Sequence, residues 1–221
     1  MDIAAERIVV NRNSAALLLV DLQPDFMPRG ALAVTDGDAV LGPVLDTLAR
    51  GLFDLVIATQ DWHPHGHVSF ASSHAEARPF DAITLYGHPQ VLWPDHCVQD
   101  TPGAALHACV PQAPLAAIVR KGMDPRVDSY SAFRNNHGPA GDRPTTGLAG
   151  LLRERGVTHV VLAGLARDYC VLWSAEDAAE AGFDTTVLWD ATRPVDPSSD
   201  ARVRAKLEDR GIHVTLASLI V

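Results

Sequence analysis

A chain of 221 residues has the length of one domain, or of two small ones at most. Its hydrophobic fraction of 47% supplies a sizeable core, and a charged fraction of 20% excludes a disordered chain. The formal charge of −9, with no basic stripe, excludes nucleic-acid phosphates and anionic lipid as partners.

Residues 1–10 mix charged and apolar side chains and lack a signal-peptide core. The first predicted strand, residues 15–20, is apolar throughout, as a strand buried on both faces should be. Asp21 follows it directly. A carboxylate at the end of a buried strand needs a partner, unless it is simply a turn or capping residue. A helix is predicted over 39–52 and a second strand over 55–59. That strand runs into Asp61-Trp62-His63-Pro64-His65-Gly66-His67. An Asp-x-His at a strand end can aim two ligands at one divalent metal, and His96 can supply a third. Carboxylate plus imidazole suits zinc, iron(II) or manganese, while a polar histidine-rich loop is the plainer alternative. His65, His74, His88, His107 and His137 lack such context and are expected to be solvated.

A third strand over 116–119 leads to Lys121, which is either exposed or turned into a crevice, where it stabilises a thiolate or orients a proton. Helix 148–155 and strand 159–163 follow. The chain then passes through Gly164-Leu165-Ala166-Arg167-Asp168-Tyr169-Cys170 into a helix over 170–181. Cys170 at a helix start is expected to have a lowered thiol pKa, with free turn amides able to bind an oxyanion, unless it is simply a buried small hydrophobe. Cys109, in a small-residue stretch, reads as a buried hydrophobe; Cys97, beside His96, is ambiguous. Strand 185–188, helix 199–210 and strand 213–216 complete the chain. Gly51, Gly156, Gly182 and Gly211 mark helix ends.

Repeated strand–helix–strand order predicts one parallel sheet with helices on both faces. Two long stretches, 60–110 and 122–147, break the rhythm and should build the ligand crevice at the carboxyl ends of strands. Three widely spaced cysteines do not form a disulfide framework, which suggests a cytoplasmic protein. No apolar run reaches membrane-spanning length.

In order, the chain carries Val20-Asp21-Leu22-Gln23-Pro24-Asp25-Phe26, Gln60-Asp61-Trp62-His63-Pro64, Trp93-Pro94-Asp95-His96-Cys97, Lys121-Gly122 and Gly164-Leu165-Ala166-Arg167-Asp168-Tyr169-Cys170-Val171. These motifs resemble the nicotinamidase/pyrazinamidase branch of the isochorismatase-like cysteine hydrolases, over nearly the whole chain. The resemblance implies a single domain over 1–221, a three-layer α/β/α fold around a six-stranded parallel sheet. It implies a hydrolase of nicotinamide and pyrazinamide acting through a cysteine thioester, as a monomer or homo-oligomer. It casts Asp21 as proton carrier, Lys121 as its charged companion and Cys170 as nucleophile. One divalent metal, zinc foremost, would sit on Asp61, His63 and His96, with His67 behind it or an occasional ligand. The peptide before Ala166 resembles the family's cis bond, which would aim the Ala166 and Cys170 amides at the oxyanion. Phe26, Trp93 and Tyr130 match aromatic pocket positions. Pro24 and Arg167 depart from the usual Asn and Thr, and Arg167 is expected to alter the pocket entrance or an interface. An N-carbamoyl or ureido amidohydrolase without a metal loop, or a catalytically idle binding protein, are the competing readings.

Overall fold

The computed structural model describes residues 6–221, so residues 1–5 of the N-terminal expectation lie outside the described residues. Six strands form one parallel sheet: β1 (Ala15–Val20), β2 (Leu55–Asp61), β5 (Leu115–Lys121), β6 (His159–Leu165), β7 (Asp184–Arg193) and β8 (His213–Thr215). Their order is β5-β2-β1-β6-β7-β8. Four helices accompany them: α1 (Leu41–Ala49), α2 (Leu148–Glu154), α3 (Leu172–Glu180) and α4 (Asp200–Asp209).

The alternation of side chains along each strand sorts the core into two halves. Leu17, Leu19, Ala58 and Val161 face α1, which contributes Val44. Leu18, Ile57 and Leu162 face the other three helices, through Leu152, Ala175 and Leu207. Three layers result, as expected. The chain winds outward from β1 to β2 and β5, then returns to wind from β6 to β8, so the sheet reverses between β1 and β6. Ligands bind at such a reversal, beyond the carboxyl ends of the strands.

Two expectations need correction. Only the inner strands are buried on both faces; in β5 the residues Ala116, Ile118 and Arg120 are exposed. The reason is topological. β5 ends the sheet, and the connection that leads to it holds no α-helix to cover its outer face. That connection instead contains an antiparallel hairpin, β3 (Ala82–Leu85) and β4 (His88–Val91). The helix expected from 170 begins at Leu172, preceded by a π-helical turn, Arg167–Val171, in which the Val171 N–H reaches Ala166 O at 3.0 Å.

Gly164 shows how closely the two central strands approach at the reversal. It pairs with Val20 and has φ of +123°, and a Cβ there would lie 2.0 Å from the Val20 carbonyl oxygen. Gly164→Ala is therefore expected to cost about 3 kcal/mol, from backbone strain and overpacking together. For a chain of this length that lowers Tm by roughly 10 °C, measurable by calorimetry. An unchanged Tm would mean that β1 and β6 can separate freely.

Candidate active site

Asp21, Asp61 and Lys121 stand at the carboxyl ends of β1, β2 and β5, with His63 just beyond β2, Cys170 in the turn after β6 and His96 in the loop before β5. Asp21 follows β1 with a left-handed φ of 47° and is fully buried. Thr59 holds it twice: its hydroxyl donates to Asp21 Oδ1 at 2.5 Å and accepts from the Asp21 N–H at 3.0 Å. Lys121 ends β5. Its ammonium lies 2.9 Å from Asp21 Oδ2, donates to Ser129 O at 3.0 Å and to Asp61 Oδ1, and approaches Cys170 Sγ at 3.4 Å. Burial works against its charge, but Asp21, Asp61 and Cys170 outweigh burial and raise its pKa well above the ordinary value. The ammonium persists because anions enclose it.

Burial raises the Asp21 pKa, with Lys121 opposing and Asp61 adding to the rise. Among the described residues, Asp21 Oδ2 is the one buried side-chain oxygen or nitrogen without a hydrogen-bond partner. The Lys121 contact supplies charge without a hydrogen-bonding direction. Asp21, Asp61 and Cys170 place donor atoms within 4.8 Å of one another, so the Asp21 carboxylate stands near the thiol. Cys170 itself is 6% exposed. Burial pushes its pKa well up while Lys121 pulls it down. The expected lowered thiol is thus corrected: desolvation in the turn, with Asp21 and Asp61 adding to it, outweighs the cationic neighbour.

Asp61, His63 and His96 bring one donor atom each to within 4.8 Å of one another, all three buried. The tautomers suit a ligand role. His63 Nδ1 pairs with Gly122 O at 3.0 Å and His96 Nδ1 with Pro94 O at 2.8 Å, which leaves both Nε2 atoms turned to Asp61 Oδ2, at 3.7 and 3.8 Å. Burial and His63 push His96 down to about 4, so it is neutral, as a ligand must be. For Asp61, burial is outweighed by Lys121 and His63, which hold the carboxyl far below the carboxylate range. The residues fit a divalent cation. His67 does not join the trio: its ring nitrogens pair with Ser69 Oγ at 2.8 Å and Val127 O at 3.3 Å, and it lies against His63.

Two residues in the first motif have structural roles that sequence reasoning missed. The Gln23 side chain accepts from the Asp61 N–H and donates to Asp61 O, both at 2.8 Å, and also donates to Ala104 O at 2.8 Å. Asp25 Oδ2 accepts from the Cys97 N–H at 2.7 Å, which fixes the loop carrying His96. Only their place in a motif marked them.

Cys170, Asp61, His63 and His96 open on one small cavity, walled by Leu32, Trp93, Tyr130, Tyr169 and Val195. Trp93 stands edge-on to Tyr130 and Tyr169, with ring centroids 6.2 and 4.8 Å away. Phe26 packs edge-on against His96 and is not part of the cavity lining. The loop between β5 and α2 also supplies Asp128, which sequence reasoning passed over. The peptide between Leu165 and Ala166 is cis.

Other expectations fall differently. Arg167 is buried rather than at an entrance: it bonds Asp200 Oδ1 at 2.7 Å, Trp189 O at 2.8 Å and Thr192 O at 2.6 Å, and lies over the Trp189 ring. Cys109 is exposed, because its stretch forms a surface turn, whereas Cys97 is buried, as Cys170 is. His88 and His137 are half-buried and stacked 3.6 Å apart, not solvated.

Comparison with known proteins agrees with this geometry. The nicotinamidase of Acinetobacter baylyi is 47% identical over 185 residues, 83% of each chain. PnC1 of L. infantum, solved in complex with nicotinate, superposes with a TM-score of 0.85 at 36% identity, covering 97% of this chain and 98% of its own. The pyrazinamidase of Pyrococcus horikoshii in complex with zinc superposes with a TM-score of 0.72 at 35% identity, covering 92% and 99%. Residues 15–218 match the Isochorismatase domain, from the first sheet strand to the turn after the last, and the chain belongs to that family.

Proposed function

We propose that this protein hydrolyses nicotinamide to nicotinate and ammonia, and accepts pyrazinamide as well. One observation carries the reading: a buried thiol with its own base and a carboxylate–bis-imidazole trio face one small aromatic-walled cavity. The nicotinamidase, nicotinate-bound and zinc-bound relatives support it. Asp61, His63 and His96 would hold one divalent cation, zinc foremost among the ions their donor set suits, and it would supply a Lewis acid for the lone pair of the substrate's ring nitrogen.

The chain's own residues carry the chemistry. Asp21 takes the Cys170 proton as Sγ attacks the carboxamide carbon. The oxyanion forms against the Ala166 and Cys170 amides. Asp21 returns its proton to the leaving nitrogen, and ammonia departs. Water then attacks the thioester carbon, Asp21 accepts its proton, and Cys170 leaves and is reprotonated. Lys121 holds Asp21 in place and balances its charge. Trp93 and Tyr130 face the ring, and Phe26 supports His96 from behind.

The same reading takes residues 1–221 as a single domain and the partner as a small aromatic amide, not a nucleic acid or membrane. The protein acts as a monomer or homo-oligomer in the cytoplasm, where its three free cysteines stay reduced. Among the described residues no helix is long and apolar enough to cross a membrane.

Ammonia release from nicotinamide tests the assignment, and its pH profile tests the base. Asp21 must be ionised to accept a proton. Since its folded pKa is raised from 3.8, kcat/KM should fall with acid at a pH clearly above 3.8. No release from nicotinamide across the neutral range would sink the substrate assignment.

A further inference from the structure

Asp128 takes no part in the steps above, yet it opens on the same cavity and is 3% exposed. Its Oδ1 accepts from the Ser129 N–H at 2.8 Å and its Oδ2 from the Gln90 amide at 2.6 Å. Among the described residues no cationic side chain forms a salt bridge with it. Both neighbours donate to it and neither carries a charge. One of its oxygens lies within 4.8 Å of ring nitrogens of His63 and His67. A buried carboxylate without a cation is costly and calls for a reason.

Charge supplies that reason. Asp61 and Asp128 line the cavity, and Asp21 and Lys121 lie buried beside Asp61, so three carboxylates stand against one ammonium. Two negative charges remain, and one divalent cation on Asp61, His63 and His96 cancels them, the imidazoles being neutral as ligands. We propose that Asp128 determines specificity by keeping the metal-loaded cavity neutral, so that it accepts an uncharged carboxamide and expels the carboxylate product. This rests on the function proposed above and extends it to product release. Without Asp128 the loaded cavity is cationic, and an anionic product is held by attraction that low dielectric strengthens. A retained product slows turnover without altering the chemical step.

The test is calorimetric binding of nicotinate and nicotinamide to zinc-saturated Cys170→Ala protein, with and without Asp128→Asn. The asparagine keeps the Ser129 contact through its Oδ1 and gives up the Gln90 one, because Gln90 Nε2 also donates to Val91 O at 2.7 Å and the amide cannot turn over without losing that bond. Asp128→Asn should tighten nicotinate by at least about tenfold, or about 1.4 kcal/mol, and change nicotinamide by less than about threefold. Asp128→Glu keeps the charge and should keep the parent ratio. If Asp128→Asn does not fold, Asp128→Ser removes the same charge and is held to the same expectation. An unchanged ratio in the neutral variant, or equal shifts in the Asn and Glu variants, overturns the proposal. Failure of the Cys170→Ala parent to bind either ligand removes the substrate reading and this proposal together, a result distinct from an unchanged ratio.

Discussion

Replacing Cys170 with alanine or serine is expected to lower nicotinamide turnover on the order of 10⁴-fold or more, with folding and metal content retained. The size follows from the group removed: without Sγ no thioester forms, and only binding and electrostatic stabilisation remain. Serine is no substitute. Its hydroxyl is harder to deprotonate than a thiol, and here even the thiol is raised by burial. Asp21→Asn should lose turnover on a similar scale with KM roughly kept, because it removes the proton acceptor and leaves the cavity walls intact. General thiol alkylation does not discriminate, since Cys109 is exposed and reacts regardless. The informative comparison is alkylation with and without nicotinate, which should shield Cys170 alone. Retained activity in Cys170→Ala would refute the nucleophile.

Removing the cation, by chelation or by His63→Ala or His96→Ala, should raise KM for nicotinamide by about 100-fold, the loss of one anchor of about 2.7 kcal/mol. Each histidine contributes one of the trio's three buried donors, with its Nδ1 already committed to a carbonyl. The ring-nitrogen contact exists in both ground and transition states, so its loss appears first in KM. A smaller fall in kcat follows from a misplaced carboxamide. Benzamide lacks the ring nitrogen. It should be a poor substrate of the loaded enzyme and nearly indifferent to chelation. Steady-state kinetics on both amides, beside elemental analysis, decide the matter. Equal turnover of the two would mean that the cation does not read the ring.

Much of this was legible because buried strands advertise themselves. β1, with Ala-Ala-Leu-Leu-Leu-Val and burial throughout, begins and ends where its apolar run does. β5 looks alike in sequence, but its edge position belongs to the whole topology and no local pattern encodes it. The β3–β4 hairpin escaped notice because its strands are four residues long and half exposed. Its signal was the Tyr86-Gly87 pair, both at positive φ as a tight hairpin turn requires. Asp21, Asp61, His63, His96, Lys121 and Cys170 stood out by lying at predicted strand ends or in the motif loops between them. The thiol's charge state did not, since it depends on how completely the turn is buried. Asp128 and the Gln90 that holds it are 38 positions apart, and only folding makes them neighbours.

The Gln23 amide behaves as one extra residue of sheet, pairing with both backbone groups of Asp61 beyond the point where β1 and β2 part. Ligand-binding loops usually belong to the part of a protein that opens most readily. Here the first turn after β1, which carries Asp21, is tied to the chain position that carries Asp61. Neither can breathe without the other. Local opening must therefore break the thiol side and the cation side together, so their spacing stays fixed from one turnover to the next.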